Sequence, residues 1–194
     1  MATAVLYGAS SGALHAIAGP DHVLSLGPVV LTRPHGAFRV GLTWGAGHSI
    51  GTLLLAVPLL LGTRFVHLPT LVGFGDRLAG FALIAMAVWS LWSARRQGAV
   101  AAADARNPLL VGTIHGATGA GGLLLVVPML LTAQVSHGLA FLFAFSVGSS
   151  LAMACLTAGI GKLGRKLGHP LIVKAQHCLA AGSIALGTAW LLGF

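Results

Sequence analysis

Three side chains close together in the N-terminal part of the chain have the types and spacing for metal chemistry. The segment His15-Ala16-Ile17-Ala18-Gly19-Pro20-Asp21-His22 holds two imidazoles seven residues apart with a carboxylate beside the second. Seven residues is about two helical turns, so His15 and His22 share a helix face. A turn at Gly19-Pro20 would bring them closer still, because proline breaks a helix and glycine lets the chain bend. His48, in Gly45-Ala46-Gly47-His48-Ser49, and His115, in His115-Gly116-Ala117-Thr118-Gly119, also sit inside apolar stretches. Four imidazoles and one carboxylate form a nitrogen and oxygen donor set suited to a divalent transition metal. Neither cysteine, Cys155 nor Cys178, is near this segment, which disfavours a soft-metal site; both read as small buried apolar residues. The donor count allows a nickel-type square or tetragonal arrangement. A second reading stands beside this one. A single histidine in an apolar helix is commonly a packing residue hydrogen bonded across helices, and His48 and His115 taken one at a time fit that equally well. His15, Asp21 and His22 together fit it poorly, since a carboxylate at the centre of a membrane helix costs roughly 2.5–3.5 kcal/mol and calls for a partner or a task.

The elements that would position these groups follow from composition. The 194 residues are 56% hydrophobic and 7% charged, against about 25% charged in soluble domains, and the mean hydropathy is +0.92. Soluble enzymes, disordered tails and collagen-like repeats are excluded, and a polytopic membrane protein fits. The net charge of +8 does not make a nucleic-acid binder, because the basic residues lie between apolar runs instead of forming a stripe on a polar domain. Six apolar runs are expected as transmembrane helices: 2–31, 40–61, 78–93, 109–131, 138–160 and 171–194. The third is the shortest. The N-terminus lacks a basic leader and reads as a retained span. Asp76 and Asp104 read as loop residues, as do His35, His67, His137 and His169. His177, near the start of the sixth run, is not expected to be a ligand.

Arg33, Arg39, Arg95, Arg96, Arg106, Lys162, Arg165, Lys166 and Lys174 fall on one side of such a layout, against Arg64 and Arg77 on the other. The positive-inside rule then puts loops one, three and five in the cytoplasm and both termini outside the cytoplasmic (inner) membrane. The chain also compares with itself at a shift of about 100 residues. Leu14-His15 pairs with Ile114-His115, Gly19 with Gly119, Pro28 with Pro128, Gly47-His48-Ser49 with Gly148-Ser149-Ser150, and Trp89 with Trp190. Three spans per half force the halves into opposite orientations. The expected architecture is therefore all-α, with six transmembrane helices as two inverted three-helix repeats: 1–94, a cytoplasmic linker 95–107, and 108–194. Such repeats are common in secondary transporters, with the substrate site near the midplane where broken helices meet. The expected breaks are Gly19, Pro20 and Gly119. Gly41, Gly45, Gly47 and Gly51 in the second run, and Gly116, Gly119, Gly121 and Gly122 in the fourth, would let helices approach closely.

The His15 to His22 segment, ending in Asp-His, resembles the signature of the nickel/cobalt permease family, and more closely that of its small UreH-type members linked to urease. Gly47-His48 resembles the family's Gly-His element in the next helix. The spacer between His15 and Asp21 has five residues where the permease signature has four, and six spans stand where the larger permeases have eight. The resemblance implies import of nickel or cobalt bound transiently by His15, Asp21 and His22 with His48 assisting, no other cofactor, no catalysis, and a metallochaperone or a urease or hydrogenase maturation partner as recipient. Two other functions remain open. A sulfite-exporter type of anion transporter would want Arg or Lys within the spans, where only Lys174 comes near. Paired span histidines could instead ligate haem.

Overall fold

The computed structural model describes residues 1–32, 34–62, 68–97, 107–118 and 134–193. Among these residues all regular structure is helical. The helices are α1 (Ala2–Ala18), α2 (Pro20–Thr32), α3 (Ala37–Gly62), α4 (Leu68–Gln97), α5 (Pro108–Thr118), α6 (Val135–Gly164) and α7 (His169–Leu192).

The break between α1 and α2 follows from two residues. Gly19 is extended, with φ −71° and ψ 108°, as a residue before proline prefers. Pro20 opens α2 where its missing N–H is least needed. The Gly19 N–H closes α1 on the His15 carbonyl at 3.0 Å. In an unbroken helix the Ala16 carbonyl would accept from residue 20, which has no N–H to give. The same device recurs at Pro28 inside α2. There the Leu24 carbonyl loses its helical donor, and the Ser183 hydroxyl of α7 reaches it at 3.5 Å.

Packing is close where glycine replaces side chains. On α3, a Cβ at Gly47 or Gly51 would strike the carbonyls of Leu109 and Thr113. On α5, a Cβ at Gly112 or Gly116 would strike the carbonyls of Trp44 and His48. Helices α3 and α5 therefore meet backbone to backbone. Gly8 and Gly12 of α1 face the carbonyls of Phe141 and Phe145 in α6 in the same way, and Gly148 of α6 faces that of Ala9. Helix α3 also packs on α6, α4 on α7, and α2 on α6 and α7. Ser49 and Ser150, on α3 and α6, touch through their hydroxyls at 3.2 Å. Ala16, Leu26, Trp44 and Met153 form one buried apolar cluster. Leu6, Tyr7, Leu14, Phe74, Phe81 and Phe143 point outward and exposed, a perimeter that hydrocarbon tolerates and water penalises.

Three helical segments are long and apolar enough to cross a membrane: Ala37–Pro58, Gly73–Trp92 and Val135–Gly164. Six crossings in two inverted repeats are not supported by length and apolarity among the described residues. The physical reasons differ by segment. The first run is divided at Gly19 into helices of 17 and 13 residues, and 17 residues rise only about 26 Å against about 30 Å of hydrocarbon. Helix α5 is described for 11 residues, and Gly119, expected as its break, lies outside the described residues. Helix α7 carries His169, Lys174, Gln176 and His177 in its first half. Helix α4 starts ten residues before the run expected at 78–93 and ends at Gln97, so the expected repeat boundary at 94 falls inside a helix. Asp76 consequently lies in α4 and not in a loop. Asp104, Arg64 and His67 lie outside the described residues.

Candidate metal centre

The helix break builds the centre from the backbone outward. With no N–H at Pro20, the Ala16 carbonyl is left free, and His22 Nδ1–H donates to it at 3.2 Å. That bond selects the tautomer whose lone pair is on Nε2. His22 is fully buried, and its Nε2 has no hydrogen-bond partner among the described residues. Gly19 is required at the same turn, because a Cβ there would come within 2.5 Å of His22 Nδ1 and 2.8 Å of Asp21 Oδ1. Asp21 stands in the first turn of α2, where the helix N-terminus favours a negative charge.

The close α3–α5 contact brings two more imidazoles to this turn. His48 lies between Gly47 and Gly51, and His115 between Gly112 and Gly116, so each ring is set by the glycines around it. His115 Nε2–H donates to Asp21 Oδ2 at 2.7 Å, and His22 Nε2 stands 3.9 Å from the same oxygen. His15 and His48 face each other through Nε2 atoms 3.3 Å apart. Ring centroids are 4.8 Å apart for His15 and His22, 5.3 Å for His22 and His48, and 5.4 Å for His22 and His115. The Nδ1 atoms of His48 and His115 are buried without partners among the described residues. Asp21, His22, His48 and His115 are buried, and His15 is half-buried.

The ligand atoms of His15, His22 and His48 lie within 4.8 Å of one another, as do those of Asp21, His22 and His115. Nitrogens bound tetrahedrally at 2.0–2.1 Å from an ion stand about 3.3 Å apart, so small side-chain movements would close either set around a cation. Buried imidazole lone pairs without donors are costly as packing devices and suited to coordination.

All five side chains singled out as ligands thus meet at one place, together with Gly19 and Pro20 at the helix break. The other described histidines stay away from it. His35 and His169 are exposed, His137 is half-buried at the start of α6, and exposed His177 donates through Nδ1 to Val173 of its own helix at 2.8 Å. Cys155 and Cys178 are exposed, contrary to the buried setting expected for them. The side chain that sequence reasoning passed over is Trp44. It is buried, stacks on His48 at 5.2 Å and 7°, and touches His22 and His115. Its position four residues before His48 on one helix face was the available signal.

Comparison with known proteins places the chain's similarity elsewhere than expected. It is 29% identical over 187 residues to Chloroplast protein FOR GROWTH AND FERTILITY 1 of Arabidopsis thaliana, covering 85% of this chain and 51% of that protein. It is 27% identical over 183 residues to Chloroplast protein FOR GROWTH AND FERTILITY 2 of the same plant, covering 85% and 49%. The chain spans about half the length of these curated relatives. No protein-family model matches the chain, and no solved structure matches it significantly. The resemblance to nickel/cobalt permeases and their UreH-type members is corrected by these findings. It rested on two short motifs with an altered spacer, and a His/Asp cluster at a proline break is something that membrane helices of different ancestry can build. The likeness to the plant proteins extends over most of the chain.

Proposed function

We propose that this chain is a membrane permease for a divalent first-row transition-metal ion, which it binds as substrate through His15, Asp21, His22, His48 and His115. The observation that carries the reading is the buried Nε2 of His22. Its lone pair is fixed by the Ala16 bond and lies within reach of two further ligands on either side. A carboxylate at the cluster supplies negative charge to a cation and would oppose an anion such as sulfite, which disfavours the exporter alternative. Haem needs room for a macrocycle between its axial ligands, whereas Trp44 and four imidazoles pack directly on one another here. Nickel and cobalt as the particular ions rested on the corrected resemblance, so the ion is named by class.

The reading includes six crossings as two oppositely oriented halves, 1–94 and 108–194, in which α1 with α2 acts as a broken helix. Three observations support it. The short helix of each half lies on the long helix of the other, α1 on α6 and α5 on α3. Ser49 and Ser150, equivalent at a shift of 101 residues, touch each other. The basic residues are biased to one side of such a layout, as expected if loops one, three and five face the cytoplasm and both termini the outside. The test is uptake by proteoliposomes that hold the full chain and an enclosed metal-sensitive dye. Nickel, cobalt and zinc are offered in turn, with sulfite as competitor. At least one ion enters with the unaltered chain, and Asp21→Asn and His22→Ala fall to the level of protein-free liposomes. Equal uptake by these variants would overturn the site, and transport of sulfite by the unaltered chain with no uptake of any of the three metals would overturn the class.

A further inference from the structure

The donors fall into two sets that share one member. His15, His22 and His48 converge in one set, and Asp21, His22 and His115 in the other. His22 has one lone pair to offer, on Nε2, because Nδ1–H is held by the Ala16 carbonyl. One lone pair serves one metal ion. We infer that the centre is two overlapping positions for a single ion, mutually exclusive and exchanged through His22, an inference that rests on the metal-ion reading above.

The two positions differ in access and in charge. The first set includes half-buried His15, while every member of the second is buried. An ion from outside the protein therefore meets the first set before the second. The first set has three neutral imidazoles and leaves the ion's charge uncompensated. The second has the Asp21 carboxylate, whose attraction for a cation is strong where the surroundings are apolar. The order of contact is thus nitrogen donors at the accessible side, then nitrogen and carboxylate donors inside. The sets also join different helices. The first ties α1, α2 and α3, and the second ties α2 and α5. Transfer of the ion would release α1 and α3 and engage α5, while His22 on α2 keeps hold throughout.

Cobalt titration of the purified full chain in detergent tests this, read by calorimetry and by visible absorption. One ion binds per chain. His48→Gln disables the first set and His115→Gln the second. Association constants of exclusive states add, so each variant still binds cobalt and their two constants sum to that of the unaltered chain. For equal sets each variant loses about twofold. The two variants give different cobalt spectra, because one keeps the carboxylate set and the other the all-nitrogen set. His22→Gln abolishes binding. His15→Gln is a second probe of the first set should His48→Gln fail to fold. Two ions per chain would overturn the inference, as would loss of all binding in either single-set variant, which marks one joint site. Absence of binding by the unaltered chain to cobalt, nickel and zinc alike would overturn the metal reading itself, a result distinct from the others.

Discussion

Replacing Pro20 with alanine separates the chemistry of the break from its architecture. Pro20 withholds the N–H that would otherwise bond the Ala16 carbonyl, and that carbonyl holds His22 Nδ1–H at 3.2 Å. Pro20→Ala supplies the missing donor. The alanine N–H then competes for Ala16, the His22 tautomer is no longer fixed, and the Nε2 lone pair is no longer assured. Two magnitudes decide what is seen. On stability, the change is small, because proline at the start of a helix carries little penalty and one exchanged hydrogen bond is worth about 1 kcal/mol. On metal binding, loss of a bond that orients a ligand costs roughly 10–100-fold in affinity, or about 1.4–2.7 kcal/mol. Binding therefore suffers more than folding. Calorimetry with cobalt and zinc measures the first, and a thermal melt followed by circular dichroism the second. Pro28→Ala is the control, since it restores a donor to Leu24 in the same helix, where Ser183 now reaches, away from the donor set. It leaves affinity unchanged. The reasoning is refuted if Pro20→Ala shifts affinity by less than about threefold, or if Pro28→Ala weakens binding to the same degree.

Two further substitutions test the frame around the site. Gly116→Val places carbon against the His48 carbonyl, so α3 and α5 must separate at a cost of roughly 1–3 kcal/mol. A lowered melting temperature and weaker cobalt binding are expected together, and an unchanged melt would show that the two backbones do not meet. His177→Ala removes an exposed ring that, among the described residues, is bonded only within its own helix. It changes stability by less than about 0.5 kcal/mol and leaves metal affinity as it was, whereas a loss of affinity would bring His177 into the site.

The site was more legible than the fold, for a physical reason. A carboxylate and two histidines in an apolar run stand out because hydrocarbon penalises them, and Gly19-Pro20 marks a break by backbone chemistry alone. Placing His48 and His115 beside them needed the contact between α3 and α5. The glycines that permit that contact are visible in the sequence, but their partner carbonyls are not. Trp44 escaped notice because an aromatic residue in an apolar run reads as packing, and its stacking on His48 depends on three dimensions. The early start of α4 was hidden for the opposite reason: Asp76 and Arg77 interrupt the apolar pattern, yet a helix carries them without breaking. The exposure of Cys155 and Cys178 was illegible because inner and outer faces of membrane helices are similarly apolar, so the contrast that locates a core in a soluble helix is missing. The family resemblance failed by scale. It was read from a few residues, whereas the likeness to the plant proteins covers 85% of the chain.

The two halves contribute unequally, and the inequality bears on the proposed transport. Gly12 and Gly112, His15 and His115, Gly47 and Gly148, and Ser49 and Ser150 correspond at shifts of 100 or 101 residues. These residues build the close helix contacts of both halves and one imidazole in each. The chemistry departs from the correspondence at three positions. Where the first half has His48 the second has Ser149, a buried hydroxyl without a partner among the described residues. Where the first has Asp21-His22 the second has Gly121-Gly122. The equivalent histidines consequently have different neighbours: His15 faces His48, and His115 donates to Asp21. A symmetric frame with symmetric ligands would hold a cation equally well on both sides of its axis. Under the proposed exchange through His22, an ion would pass from neutral nitrogens to a set containing the one buried carboxylate among the described residues. On the proposed reading the repeated contacts make the frame alike in its two halves, and the placement of Asp21 would make the two ends of the ion's path unequal.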